Sequence, residues 1–144
     1  MTQIHKNALV MHTPAEMYKL VNEVEFYPDF LPWCRSSRVI ERNQSEQRAT
    51  IEIAKGPLNK SFSTVNTMEE PTSIHMRLEE GPFESLDGRW VFQALGDKGC
   101  KISLDIEFEF SSRLMRAVLN PVFSEICSTL VDAFVKRADQ VYRR

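Results

Sequence analysis

The sequence predicts an α+β domain in which an antiparallel sheet packs on one long C-terminal helix. Two patterns carry this. After Pro121 the apolar residues Val122, Phe123, Ile126, Leu130, Val131, Phe134, Ala138 and Val141 recur at spacings of three and four, one stripe down a helix of about six turns. From Ser37 to Phe110 apolar and polar residues alternate instead. The alternation is cleanest where Ile102, Leu104, Ile106, Phe108 and Phe110 interleave with Lys101, Ser103, Asp105, Glu107 and Glu109, a strand with one buried and one wet face. A helix that long is unstable alone and needs an apolar surface about its own length. The sheet supplies it.

Taken in order, residues 3–11 read as a first strand with imperfect alternation. Thr13 then caps a helix opened by Pro14, and Glu16 completes a capping box. Met17, Leu20, Val21 and Val24 form its apolar side. The stretch Phe26-Tyr-Pro-Asp-Phe-Leu-Pro-Trp-Cys34 is the densest aromatic cluster, and its two prolines allow only a turn or two before an extended exit. Five or six strands follow: around Val39-Ile40, Ala49–Ile53, Lys60–Met68, Ile74–Leu78, Phe83–Phe92 (across an Asp87-Gly88 pair) and Ile102–Phe110. Gly56-Pro57, Pro71, Gly81-Pro82 and Gly96-Asp-Lys-Gly99 separate them. Asn120 is a suitable N-cap with Pro121 at the first helical position, while Ser111 or Ser112 caps a shorter turn upstream. The helix is therefore either one long kinked element or a short helix feeding the long one.

Length and composition bound the rest. The 144 residues suit a single domain spanning 1–144. A formal charge of −2 gives no general nucleic-acid footprint, so no DNA partner is expected. Residues 111–144 nevertheless hold six Lys/Arg against three acids, a net +3 that leaves −5 for residues 1–110. No run reads as a membrane span and the N-terminus lacks the apolar stretch of a signal peptide, so transient contact is the most that is expected with a membrane. Cys34, Cys100 and Cys127 are odd in number and far apart. They read as reduced thiols in a cytoplasmic protein.

Catalytic and metal chemistry find little support. His5, His12 and His75 share no ligand spacing with each other or with the cysteines, so no metal is expected. Asp105, Glu107 and Glu109 fall on the wet face at period two, where they solubilise. No nucleotide-binding or nucleophile motif occurs, and nothing pairs a nucleophile with a base. Aromatic residues are the surplus. Phe26, Phe30, Trp33, Phe62, Phe83, Trp90, Phe92, Phe108 and Phe123 either fill the core or line a space within it, Trp33 and Trp90 being the best suited to a wall. Thr64 and Asn66 share parity with Phe62 and Met68, and a buried amide needs a partner, water or a ligand.

Four ordered blocks carry a resemblance: Tyr27–Cys34, Gly81–Phe92, Asp105–Phe110 and Leu130–Ala138. Together they resemble the bacterial members of the coenzyme Q-binding protein family, in the START-like, polyketide cyclase and lipid-transport superfamily. The resemblance runs from about Ile4 to Tyr142. It implies a START-like helix-grip fold, a curved antiparallel sheet wrapped around the C-terminal helix with a lipophilic cavity between them. Mitochondrial members are associated with ubiquinone and respiration; the bacterial branch includes a ribosome association toxin, named for binding the large subunit and blocking subunit joining.

The first expectation is thus non-enzymatic binding of ubiquinone or a related lipid, as ligand and not cofactor. Its lining would be Trp33, Phe62, Asn66, Trp90, Phe108, Phe123 and Val131. Phe26, Phe30, Leu31 and Trp33 would serve as a gate, or else as a fixed plug. The second expectation is ribosome binding through Arg113, Arg116, Lys136, Arg137, Arg143 and Arg144. An aromatase/cyclase-type enzyme is third, without a site to support it.

Overall fold

The computed structural model describes residues 1–142. Strand β1 (Thr2–Val10) leads into helix α1 (Pro14–Asn22), a 3-10 helix (Val24–Asp29), and strands β2 (Cys34–Arg42), β3 (Glu46–Lys55), β4 (Leu58–Glu69), β5 (Ser73–Glu80), β6 (Phe83–Leu95) and β7 (Gly99–Phe110). Helix α2 (Arg113–Val141) closes the chain. The strands form one curved antiparallel sheet in the order β1-β7-β6-β5-β4-β3-β2. Short loops make β2 to β7 a meander, and β1 returns to pair with β7, Ile4 opposite Ile106.

Local chemistry explains the elements. Thr13 accepts from the Glu16 N–H at 3.2 Å while the Thr13 N–H donates to the Glu16 carboxylate at 2.9 Å, the reciprocal capping box that starts α1. All five alternating residues of β7 from Ile102 to Phe110 are buried. Of their polar neighbours, Asp105 meets His5 across the outer face and Glu109 pairs with Arg116. β6 runs unbroken through Asp87-Gly88, since Gly88 pairs with Met76 on one side and Ile106 on the other.

Helix α2 departs from one reading of the sequence. It is a single element capped by Ser112, whose Oγ accepts the Met115 N–H at 3.1 Å. Asn120 and Pro121 are therefore interior, not a cap and a first turn. Leu119 and Phe123, on either side of the proline, are both buried. Burying that stripe offsets the hydrogen bond that Pro121 removes. A second correction concerns membranes: α2 is long and apolar enough to cross one by length and composition alone. In this fold its Phe123, Ile126, Cys127, Val131, Phe134 and Ala138 are buried among the domain's own residues.

Rings gather at two points along α2. Phe123 lies 4.7 Å from Phe108 and 5.1 Å from Phe83, which stacks on Phe110 at 4.4 Å. Phe134 lies 5.3 Å from Trp90, 5.4 Å from Tyr27 and 5.3 Å from Phe30. Eleven residues separate Phe123 from Phe134, about three turns or roughly 16 Å.

Gly81 fits this packing tightly. Its φ of +154° and an approach that would put an added Cβ at 2.6 Å from Phe62 Cβ both require the missing side chain. Gly81→Ala is expected to cost about 2 kcal/mol through overpacking and backbone strain. Urea unfolding should show a lower midpoint at an unchanged slope.

A candidate ligand-binding cavity

Between the two ring clusters the interior is incompletely filled. A cavity of about 70 Å³ lies between the sheet and α2. Helix residues Phe123, Ile126, Cys127, Leu130 and Phe134 form one wall. Residues of β3 to β7 and the 3-10 helix form the others. Ala49 and Cys127 present small side chains to it, and at Gly88 the Met76 methyl packs where a Cβ would stand, 2.8 Å from it. Large rings at either end and small groups between them leave the space.

Five of the seven lining residues expected from sequence meet here: Trp33, Phe62, Asn66, Trp90 and Phe123. Phe108 and Val131 do not line it. Phe108 is fully enclosed by Phe83, Phe110 and Phe123. Val131 is buried on the flank of α2; at 100° per residue it stands about 80° around the axis from Phe123, beyond Cys127 at about 40°. Strand parity and helical spacing select inward residues, and inward is a broader set than cavity-lining. Tyr27, Leu86, Ile106 and Phe134 line the space unforeseen. Periodicity marked Ile106 and Phe134 as core, but nothing in the sequence separated these four from the rest of it.

The cavity is apolar with one polar corner. Thr64 and Asn66 are both buried, and the Thr64 hydroxyl donates to Asn66 Oδ1 at 2.9 Å. The Asn66 amide nitrogen has no protein acceptor among the described residues, which leaves it a donor for an acceptor placed in the cavity. No Asp, Glu, His, Lys or Arg lines the space. Its titratable groups, Tyr27 and Cys127, are both pushed up by burial and stay neutral. An acid–base pair has no counterpart here.

The segment expected as a gate is partly anchored. Tyr27 and Leu31 are buried, and the Tyr27 hydroxyl donates to the Val21 carbonyl. Arg42 forks onto Glu25 at 3.0 and 2.9 Å while its Nε donates to the buried Gln47 at 2.6 Å. That guanidinium holds the Glu25 carboxyl below the usual range. Phe26 is 48% exposed and lines no part of the cavity. Phe30 and Trp33 are half-buried, and Trp33 lines both the cavity and an outer groove.

The six expected basic residues do not form one face. Arg113 is exposed at the start of α2, and Lys136 is 23 residues, about 34 Å, further along. Arg116 is held by Glu84 and Glu109. Arg137 stacks over Phe30 at 5.1 Å. Arg143 and Arg144 lie outside the described residues. Among those described, no three His, Cys, Asp or Glu side chains are placed to hold a metal.

Comparison with known proteins fits this architecture. Residues 10–135 match the family model for polyketide cyclase / dehydrase and lipid transport. The chain is 45% identical to the ribosome association toxin RatA of Pseudomonas aeruginosa over 98% of both chains. It is 39% identical to RatA of Escherichia coli K12, covering 99% of this chain and 90% of that one. A more distant relative is the mitochondrial coenzyme Q-binding protein COQ10 of Drosophila melanogaster, 29% identical over 91% of this chain and 56% of that protein. In fold it is similar to the Zhui aromatase/cyclase of Streptomyces, with a TM-score of 0.87 at 15% identity, covering 99% and 96% of the two chains. The chain belongs to the polyketide cyclase / dehydrase and lipid transport family.

Proposed function

We propose that this chain associates with the ribosome, as a protein of the same kind as its RatA relatives, by binding the large subunit and hindering subunit joining. The identity of 45% along essentially the whole of both chains carries this reading. Ribosomal RNA is a polyanion, so contact should weaken steeply as salt releases counterions. Arg113 is exposed and in no ion pair among the described residues, which makes it the first side chain to test. Added to a lysate at low salt, the protein should co-sediment with large subunits and deplete joined ribosomes. Arg113→Glu should weaken this several-fold. Unchanged subunit profiles at low salt would sink the reading.

The cavity supports a second reading: non-enzymatic binding of a lipophilic molecule bearing a hydrogen-bond acceptor, with ubiquinone or a related isoprenoid quinone as the candidate. Apolar walls, the Asn66 amide and the absence of an ionisable base favour binding over catalysis. Trp33, Phe62, Trp90 and Phe123 would contact the ligand. Titration with a short-chain ubiquinone should give a saturable change in tryptophan fluorescence. Asn66→Leu should weaken binding by about fivefold, one neutral hydrogen bond's worth. A wild type that shows no saturation rules the quinone out.

At about 70 Å³ the cavity is well below the roughly 300 Å³ and upward that sites for such ligands occupy, so a quinone must displace part of the wall. Trp33 is a half-buried ring shared by the cavity and the outer groove, and Phe30 is a half-buried ring on the groove side, whereas Tyr27 and Leu31 are buried. The Phe30 and Trp33 side chains would therefore swing out as the gate while Tyr27 and Leu31 stay docked. Amide exchange should be faster at 30–33 than in β7 and should slow when the quinone is added. Protection equal to that of Leu104–Phe108 without ligand would make the segment a plug.

A further inference from the structure

A groove of about 490 Å³ runs along the outside of the cavity wall, between residues 29–33 and α2. Its floor is apolar, formed by Phe30, Leu31, Pro32, Trp33 and Ala133. Its charged rim is Asp29, Lys55, Lys136 and Arg137, a net +2. Lys55 is engaged by Glu125 at 3.2 Å. Lys136 and Arg137 have no acidic partner among the described residues, and Arg137 is steadied by the Phe30 ring. On the helix, Thr129, Ala133, Lys136 and Gln140 run parallel to the cavity stripe, on its flank. Trp33 belongs to both spaces.

We propose that this groove holds the anionic head, a carboxylate or phosphate, of an amphiphile whose apolar body lies in the cavity. The inference rests on the reading of the cavity as a lipophilic site and adds a charge to its ligand. Lys136 and Arg137 partner the head, and displacement of Trp33 joins groove to cavity. Two unpaired cations at the mouth of an uncharged cavity discriminate by charge. The apolar body gains the same burial from a neutral or an anionic ligand, but only the anion gains charge-assisted hydrogen bonds at the rim.

The test compares dodecanoic acid, dodecyl phosphate and dodecanol, below their aggregation limits, by tryptophan fluorescence. At neutral pH and low salt the acid or the phosphate should bind about tenfold more tightly than the alcohol, and the ratio should shrink at high salt. Which anion leads tells carboxylate from phosphate. Lys136→Gln with Arg137→Gln should bring the ratio to about one by weakening the anions, with the alcohol still bound saturably, which also certifies that the variant is folded. Lys136→Gln alone, at an exposed side chain, should lower it partway. Equal affinities in the wild type, or a ratio the double variant does not change, overturns the proposal and leaves the lipophilic site standing. If none of the three binds, both fall. Inorganic phosphate alone producing the same change would indicate an anion site without a chain, which also overturns it. So would a double variant that loses ribosome co-sedimentation with its ratio intact, since the cations would then serve RNA.

Discussion

The 29 residues of α2 need apolar cover along one side, and the concave face of one sheet is where that cover exists. This constraint organises the rest. Six strands laid down as a meander give the sheet its width, and β1 extends it past β7. Pro121 is tolerated inside the helix because Leu119 and Phe123 are buried on both sides of it. A helix that lost the sheet would keep a proline in its interior and have no compensating burial.

The same packing makes the cavity. Phe123 and Phe134 each meet a group of rings, so the helix rests on the sheet at two points about three turns apart. Between them the sheet presents Ala49 and Gly88, and the helix presents Cys127. Two rigid supports keep the backbones apart, and small side chains cannot reach across. The result is an uncharged space whose walls are apolar apart from the Thr64–Asn66 pair. Family membership says nothing more specific about chemistry. A likeness to an aromatase/cyclase at 15% identity is a likeness of fold.

Much of this architecture is legible in the residues. The capping box at Thr13, the alternation of β7 and the helical stripe after Pro121 are local patterns, each fixed by a spacing of two, three or four. The inward parity of Thr64 and Asn66 likewise pointed to a buried polar pair, and they share a hydrogen bond at the cavity. What was not legible depends on distance between segments. Asn120-Pro121 carries the local signature of a helix start, yet burial of Leu119 overrides it. Phe108 and Val131 point inward as expected, but whether an inward residue meets a void or another ring depends on three or four elements at once. That the basic residues of α2 cannot share one face was legible, by contrast, since 23 helical positions separate Arg113 from Lys136.

Ribosome association and ligand binding need not compete for the same atoms. A macromolecular partner would read the outside of the domain, where Arg113 is exposed far from the groove. A small amphiphile, on the proposed reading, would occupy the inside and enter past Trp33. The two are joined by α2, which carries Arg113 at its start, the cavity wall in its middle and the Lys136–Arg137 pair near its end. Any ligand large enough to displace the rings at Phe134 must move against this helix, because cores have few intermediate packings. A shift there would be carried along the helix toward its ends. Binding inside can therefore bias contact outside, by the difference in ligand affinity between the two helix positions and by no more than that.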